Sequence, residues 1–233
     1  NEQLRADLLR TISHDLRTPL TSISGNASNL ISNYEMMDAP TRKQTFLDIY
    51  DDSMWLINLV ENILSISRIE DGRMNLSIST ELVSEVFEEA LRHTNRHSGQ
   101  HTITVQMADD LLLARMDAKL VVQVLINLVD NAIKYTPAGS HIVLSAAAQG
   151  ESAVIRVSDD GPGIPDEAKE KVFEMFSTGE KRISDSRRSL GLGLALCRTI
   201  IAAHGGTITL SDNTPHGCIF TFTLPLGEVS LHE

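Results

Sequence analysis

His14 stands two residues from both Ile12 and Leu16, members of an apolar series that recurs in steps of three and four. At about 100° per residue it lies roughly 200° from that series, on the solvent side of a helix. A solvated imidazole, with a pKa of about 6.5, is mostly neutral at neutral pH, and its bare nitrogen is a nucleophile. An ordinary surface histidine would fit the same pattern, so the neighbours decide. Pro19 falls inside the same helical series, where it removes an N–H and clashes with the carbonyl of Asp15. A proline there costs about 3 kcal/mol, which packing alone does not explain. The sequence predicts a kinked or loosened helix beside His14 and a moving part.

Three further groups carry phosphate-handling chemistry. Asn127-Leu128-Val129-Asp130-Asn131-Ala132-Ile133-Lys134-Tyr135 puts Asn127, Asn131 and Lys134 on one helix face, in steps of four and three. Amide oxygens are hard ligands that suit Mg²⁺, and an ammonium neutralises phosphate charge; a solvated helix face is the plain alternative. Asp159-Asp160-Gly161-Pro162-Gly163-Ile164 follows a strand-like run, and its glycines permit close backbone approach, as in any tight turn. Ser189-Leu190-Gly191-Leu192-Gly193-Leu194 precedes a helix, and backbone N–H groups at such a start form a nest for anions. It is not a dinucleotide turn, because position 196 is Leu and no strand leads directly into it.

The elements that must position these groups divide the chain in two. Apolar positions at Leu4, Leu8, Ile12, Leu16, Leu20, Ile23, Ala27 and Leu30, then at Phe46, Ile49, Leu56, Val60 and Ile63, predict two helices of about 45 Å joined by a break at Asn33 to Pro40. Two such helices bury their stripes poorly alone, and a dimeric four-helix bundle would complete them. Glu70-Asp71-Gly72-Arg73 ends the second helix, placing the boundary between domains of residues 1–71 and 72–233. Beyond it, strand-like runs at Ile103 to Val105, Ile142 to Leu144, Val154 to Val157, Thr207 to Leu210 and Ile219 to Leu224 alternate with helical spacing at Leu82 to Arg92, Lys119 to Tyr135 and Leu192 to His204. That mixture predicts an α+β protein whose second domain is a two-layer α/β sandwich.

Composition narrows the function. Lys plus Arg number 20 against 31 Asp plus Glu, a net charge of −11, which argues against a nucleic-acid binder. Hydrophobic residues are 42% and charged residues 22%, so wholesale disorder is not expected. Cys197 and Cys218 form no metal-ligand spacing and no disulfide framework, and a reducing compartment fits them. No run reaches the roughly 18 apolar residues of a membrane span, and the start at Asn1 suggests a piece excised from a longer protein.

Ser13 to Leu20 resembles the H-box of bacterial two-component sensor histidine kinases. The resemblance implies that His14 is the phosphorylated residue, that Asp15 hydrogen-bonds the other ring nitrogen, and that Thr18 orients a water in members with phosphatase activity. Asn127 to Tyr135 is similar to the N-box of that family, with Asn127 as the metal ligand and Asn131 and Lys134 on phosphates. Asp159 to Ile164 resembles the G1 box, in which the first acid accepts a hydrogen bond from the adenine amino group. Phe173-Glu174-Met175-Phe176 resembles the F-box, and Ser189 to Leu194 the G2 box, with Ser189 where a glycine is usual. Tyr135, Gly161, Gly163, Ile164, Gly191, Leu192, Gly193 and Leu194 are thereby implied in ATP binding.

The boxes run in the family's order, and the stretches Ser13 to Asn26, Gln123 to Pro137 and Asp185 to Cys197 look most like its potassium-responsive members. Between the F-box and the glycines, Ser177 to Ser189 reads as a mobile lid. It carries Lys181, Arg182, Arg187 and Arg188 against Glu180 and Asp185, a surplus suited to a triphosphate; Thr178 stands where many relatives have an arginine. The resemblance therefore implies ATP- and Mg²⁺-dependent phosphorylation of His14, then transfer to an aspartate of a response regulator. The expected setting is a homodimer in the cytoplasmic part of a sensor anchored through a missing N-terminal region. Two rivals stand beside it. A gyrase- or chaperone-type ATPase would place a Glu base near the position of Asn127, and a non-catalytic dimeric scaffold would show no turnover.

Overall fold

In a computed structural model of the chain, residues 2–70, 76–94, 99–174 and 192–228 are described, and for residues 2–12, 14, 15 and 66–70 only the backbone is. The chain divides into two compact units, Asn1–Glu70 and Asp71–Glu233.

The first unit is a helical hairpin of α1 (Glu2–Asn33) and α2 (Ala39–Glu70), joined by a short 3₁₀ turn at Tyr34–Met36. The Asp38 carboxylate accepts the Thr41 N–H at 2.8 Å and so caps the start of α2. Arg42 donates to the Tyr34 carbonyl and lies over the Tyr34 ring, closing the turn. The helix α1 is not interrupted at Pro19. Leu30 of the predicted stripe is buried, but the buried side departs from the stripe near Pro19, which is buried whereas Leu20 is 54% exposed. The apolar residues cover more of the circumference than one neighbouring helix can occupy. On α2, Thr45 and Leu59 face inward, while Phe46, Tyr50, Ile57, Val60 and Leu64 remain exposed in steps of three, four and seven. No helix among the described residues is long and apolar enough to cross a membrane.

The second unit is an α/β sandwich. Its five-stranded sheet has the order β2 (Thr102–Met107), β4 (His141–Gln149), β5 (Ser152–Asp159), β7 (Cys218–Pro225), β6 (Ile208–Asp212). Only β2 and β4 pair in parallel. Two strands the sequence did not suggest, β1 (Ser79–Leu82) and β3 (Leu113–Met116), form a separate antiparallel pair. At four residues each, they are too short for alternation to be visible.

Three helices, α3 (Val83–Arg92), α4 (Ala118–Tyr135) and α6 (Gly193–Ala203), supply the second layer, and a short α5 (Asp166–Lys169) follows β5. On α4, Val121, Val124, Leu125, Leu128 and Val129 are fully buried, each worth roughly 1.5–3 kcal/mol of apolar burial. They meet Leu196, Ile200 and Ile201 of α6 and Ile142, Leu144, Ile155 and Phe222 of the sheet in one core. In β7 the burial alternates residue by residue, as it must in a sheet covered on one face.

Candidate nucleotide site

The burial of one side of α4 fixes what its other side presents. Because the apolar positions recur every three or four residues, Asn127, Asp130, Asn131 and Lys134 share the opposite, half-buried face. The Lys134 ammonium lies 5.1 Å from the ring centre of Tyr135, which is 57% exposed. Asn127 faces the start of α6: a Cβ on Gly193 would lie 3.5 Å from Asn127 Oδ1. The Asn127 Nδ2 is buried and makes no full hydrogen bond. Beside it the Cys197 thiol is pushed up to about 12 by burial, against a small opposing effect of the Asn127 amide. The amide oxygen, bordering the helix start at Gly193, is a hard ligand atom that fits a cation. Leu192 is buried as the residue preceding α6, and Leu194 is half-buried in its first turn.

The loop after β5 closes the other end of this face. A Cβ on Gly161 would sit 2.5 Å from Thr136 Cγ2, so only glycine lets the loop lie against the end of α4. Thr136 is held there by its hydroxyl, which donates to the Ala132 carbonyl at 2.7 Å. Asp159 is buried, and its Oδ1 accepts the Gly161 N–H at 2.9 Å and the Cys218 N–H at 3.3 Å. Burial raises its carboxyl above the ordinary range, and those two N–H groups only partly offset the effect.

Its neighbour Asp160 behaves in the opposite way. Burial alone would raise it, but the His141 backbone N–H and ring, at 2.8 and 3.0 Å, together hold it below the ordinary value. Gly163 has φ +77 and Ile164 is half-buried. Phe173 is buried edge-to-face against Phe220. Gly191, Met175, Phe176 and the stretch from Ser177 to Ser189, with Lys181, Arg182, Arg187 and Arg188, lie outside the described residues.

Two supports of this site were not read from the sequence. His204, buried at the end of α6, has Nδ1 2.7 Å from the Ile200 carbonyl, and its Nε2 accepts the Asp117 N–H at 3.0 Å. Asp117 in turn caps α4 through Leu120 and accepts the Ser77 N–H at 3.0 Å. One residue pair thus ties the far ends of both site helices together. The second support is the turn between β6 and β7, where Asn213 and His216 reach the carbonyls of Asp159 and Gly161. The signals were His204-Gly205-Gly206 and Asn213-Thr214-Pro215-His216-Gly217, whose targets are distant in sequence.

In the hairpin, Ser13, Arg17 and Thr18 are exposed, and the Thr21 hydroxyl donates to the Arg17 carbonyl at 2.8 Å. The side chains of His14 and Asp15 lie outside the described residues.

Residues 4–72 match the His Kinase A (phospho-acceptor) domain, and residues 116–228 match the histidine kinase-, DNA gyrase B- and HSP90-like ATPase family. The chain is 41% identical to the sensor protein KdpD of Clostridium acetobutylicum, over 96% of this chain and 25% of that protein. It therefore spans about a quarter of the length of that curated relative. A nucleotide-free structure of the catalytic domain of histidine kinase ThkA is 30% identical, with a TM-score of 0.57, covering 64% of this chain and 97% of that one. A structure of ThkA in complex with the response regulator protein TrrA aligns at 25% identity and a TM-score of 0.66, covering 97% of this chain and 64% of that one.

Proposed function

The chain belongs to the histidine kinase family, a phospho-acceptor domain followed by an ATPase domain, and on that premise we propose that it transfers the γ-phosphoryl group of ATP to its own His14 and then to an aspartate of a response regulator. The observation that carries this reading is the assembly, in one domain, of the Asn127 face, the start of α6 and the Asp159–Gly161 loop. Asp159 is the acceptor for the adenine amino group, which donates. Asn131 and Lys134, beside Tyr135, offer an amide and a charge to phosphate oxygens, and the backbone at Leu192 to Leu194 lies at a helix start suited to anions.

Asn127, through its oxygen, is the residue that would hold Mg²⁺, which when bound supplies positive charge against the phosphate oxygens. A lone pair of the neutral His14 imidazole forms the N–P bond as the bond from the γ-phosphorus to the bridging oxygen breaks, and ADP leaves with that electron pair. Asp15 takes the proton of the other ring nitrogen in a hydrogen bond and so holds the ring's orientation. Positioning and charge carry most of the rate in such transfers. Aspartate attack on the phosphohistidine then returns the imidazole to neutrality. Thr18, exposed one turn after position 14, is assigned by the family resemblance to orient a water that removes the regulator's phosphoryl group.

The partners are inferred from the hairpin. The exposed apolar series Phe46, Tyr50, Ile57, Val60 and Leu64 supports a homodimer through a four-helix bundle. The complex solved for ThkA with a response regulator supports a receiver domain as partner, and the hairpin that carries His14 is the docking face this reading assigns to it. Identity to a KdpD sensor supports a place in the cytoplasmic part of a membrane-anchored, potassium-responsive sensor. Incubation with γ-labelled ATP tests the central claim: acid-labile label is expected on the parent and absent from His14→Gln, whose ADP affinity stays within about twofold because the nucleotide residues lie in the other unit. Label retained by His14→Gln, or absent from the parent, refutes it.

A further inference from the structure

The loop after β5 and the turn between β6 and β7 touch backbone to backbone. A Cβ on Gly217, whose φ is +114, would lie 2.0 Å from the Asp159 carbonyl oxygen, so no larger residue permits the approach. The turn then supplies three donors to the loop. Asn213 Nδ2 donates to the Asp159 carbonyl at 2.8 Å, the His216 ring Nδ1 to the Gly161 carbonyl at 3.0 Å, and the Cys218 N–H to Asp159 Oδ1 at 3.3 Å.

The Asn213 amide is itself fixed. Its Oδ1 accepts the Thr214 N–H at 2.9 Å and its own N–H donates to the Gly217 carbonyl at 3.0 Å, so the NH₂ group is left for Asp159. A ring nitrogen facing a carbonyl must carry a proton, and His216 meets that demand in either charge state.

We propose that Asn213 and His216 are positioning residues for base recognition, holding the Asp159–Gly161 backbone so that one carboxylate oxygen is aimed at the adenine amino group. The proposal rests on the reading of Asp159 as the adenine acceptor. Oδ1 is occupied by two backbone donors, and Oδ2 has no hydrogen bond among the described residues, so the second oxygen is the one available to a ligand. An acceptor that cannot retreat repels the 6-oxo group of hypoxanthine as strongly as it attracts the 6-amino group of adenine. Freed of its two side-chain anchors, the loop can rotate away and admit water, and discrimination falls before general affinity does. A contribution to folding alone would weaken both nucleotides equally.

The test measures ADP and IDP affinity by calorimetry on the whole chain. The parent is expected to prefer ADP. His216→Leu and Asn213→Ala should lower the ADP-to-IDP preference by about three- to tenfold, the loss expected from one hydrogen bond. His216→Asn, which keeps a donor at the same reach, should retain the preference within about twofold. If the parent discriminates and both donor-free variants keep its ratio, the positioning role is overturned while the Asp159 reading stands. If the parent does not discriminate, the Asp159 reading falls and this proposal with it. Should Asn213→Ala fail to fold, the His216 pair decides, since that side chain is exposed and its replacement is tolerated.

Discussion

Asp159 is a carboxylate that the fold holds at a disadvantage. Burial raises its pKa, and two backbone N–H groups only partly compensate. The folded state thus takes up a proton at Asp159 more readily than the unfolded chain does. The penalty is fully present once pH exceeds the raised folded value, and it is relieved as pH falls through that value toward the unfolded carboxyl range. Asp159→Asn removes the charge, and its amide oxygen still accepts from Gly161 and Cys218. It is expected to raise the melting temperature of the nucleotide domain at neutral pH and to flatten this part of its pH dependence. If Asp159 is the adenine acceptor as proposed, the same change turns an NH₂ toward the adenine amine and should weaken ADP binding by about tenfold or more. Calorimetric melting and binding measure both effects, and unchanged ADP affinity would remove the adenine contact from Asp159. The residue types at this site were legible in the sequence. The burial of Asp159, and the oxygen left free on it, were not, since both depend on Cys218, 59 positions later.

Among the elements, α4 and α6 carry the site between them, and Asp117 with His204 fixes their far ends. An N-cap aspartate satisfies one of the first free N–H groups of a helix, worth roughly 0.5–2 kcal/mol, and here it also takes the Ser77 N–H at the start of the domain. Asp117→Ala leaves the Ser77 N–H unpaired and Leu120 with only the residue-117 carbonyl, which its N–H already meets at 3.1 Å, and His204→Leu leaves the Asp117 N–H unpaired. Each should lower the denaturant midpoint by an amount corresponding to about 1–3 kcal/mol, with the slope unchanged. A midpoint that does not move in either variant would show the link to be dispensable. The periodicity of α4 and α6 was readable because each buries one face, and their observed ends fall within a residue or so of the predicted ones. The strands β1 and β3 were not readable, since pairing between positions 79–82 and 113–116 is a long-range event.

At the scale of the whole molecule, the two units are compact by different means. The nucleotide unit buries a continuous core of its own, whereas the hairpin leaves Phe46, Tyr50, Ile57, Val60 and Leu64 in solvent. Placing a charge in that series, as in Val60→Glu, should weaken self-association by at least about 100-fold, the cost of burying an unpaired carboxylate. Sedimentation should then report a monomer that still binds ADP, and a variant still dimeric at the parent's concentration would take α2 out of the interface. The predicted stripe on α1 named Leu20 as buried, and the structure exposes it while burying Pro19. A step of three and a step of four fit the same helix, and only the partner's position selects between them.

The order of the elements, the hairpin followed by the α/β unit, and the residue types at the candidate nucleotide site are legible without coordinates. Local periodicity and side-chain chemistry, which neighbouring residues suffice to set, account for both. Tertiary structure alone decided which carboxylate is buried, which carbonyls the β6–β7 turn holds, and that His204 joins two helices. Each of these is a contact between positions tens of residues apart, and contacts of that kind exist only once the chain has closed on itself.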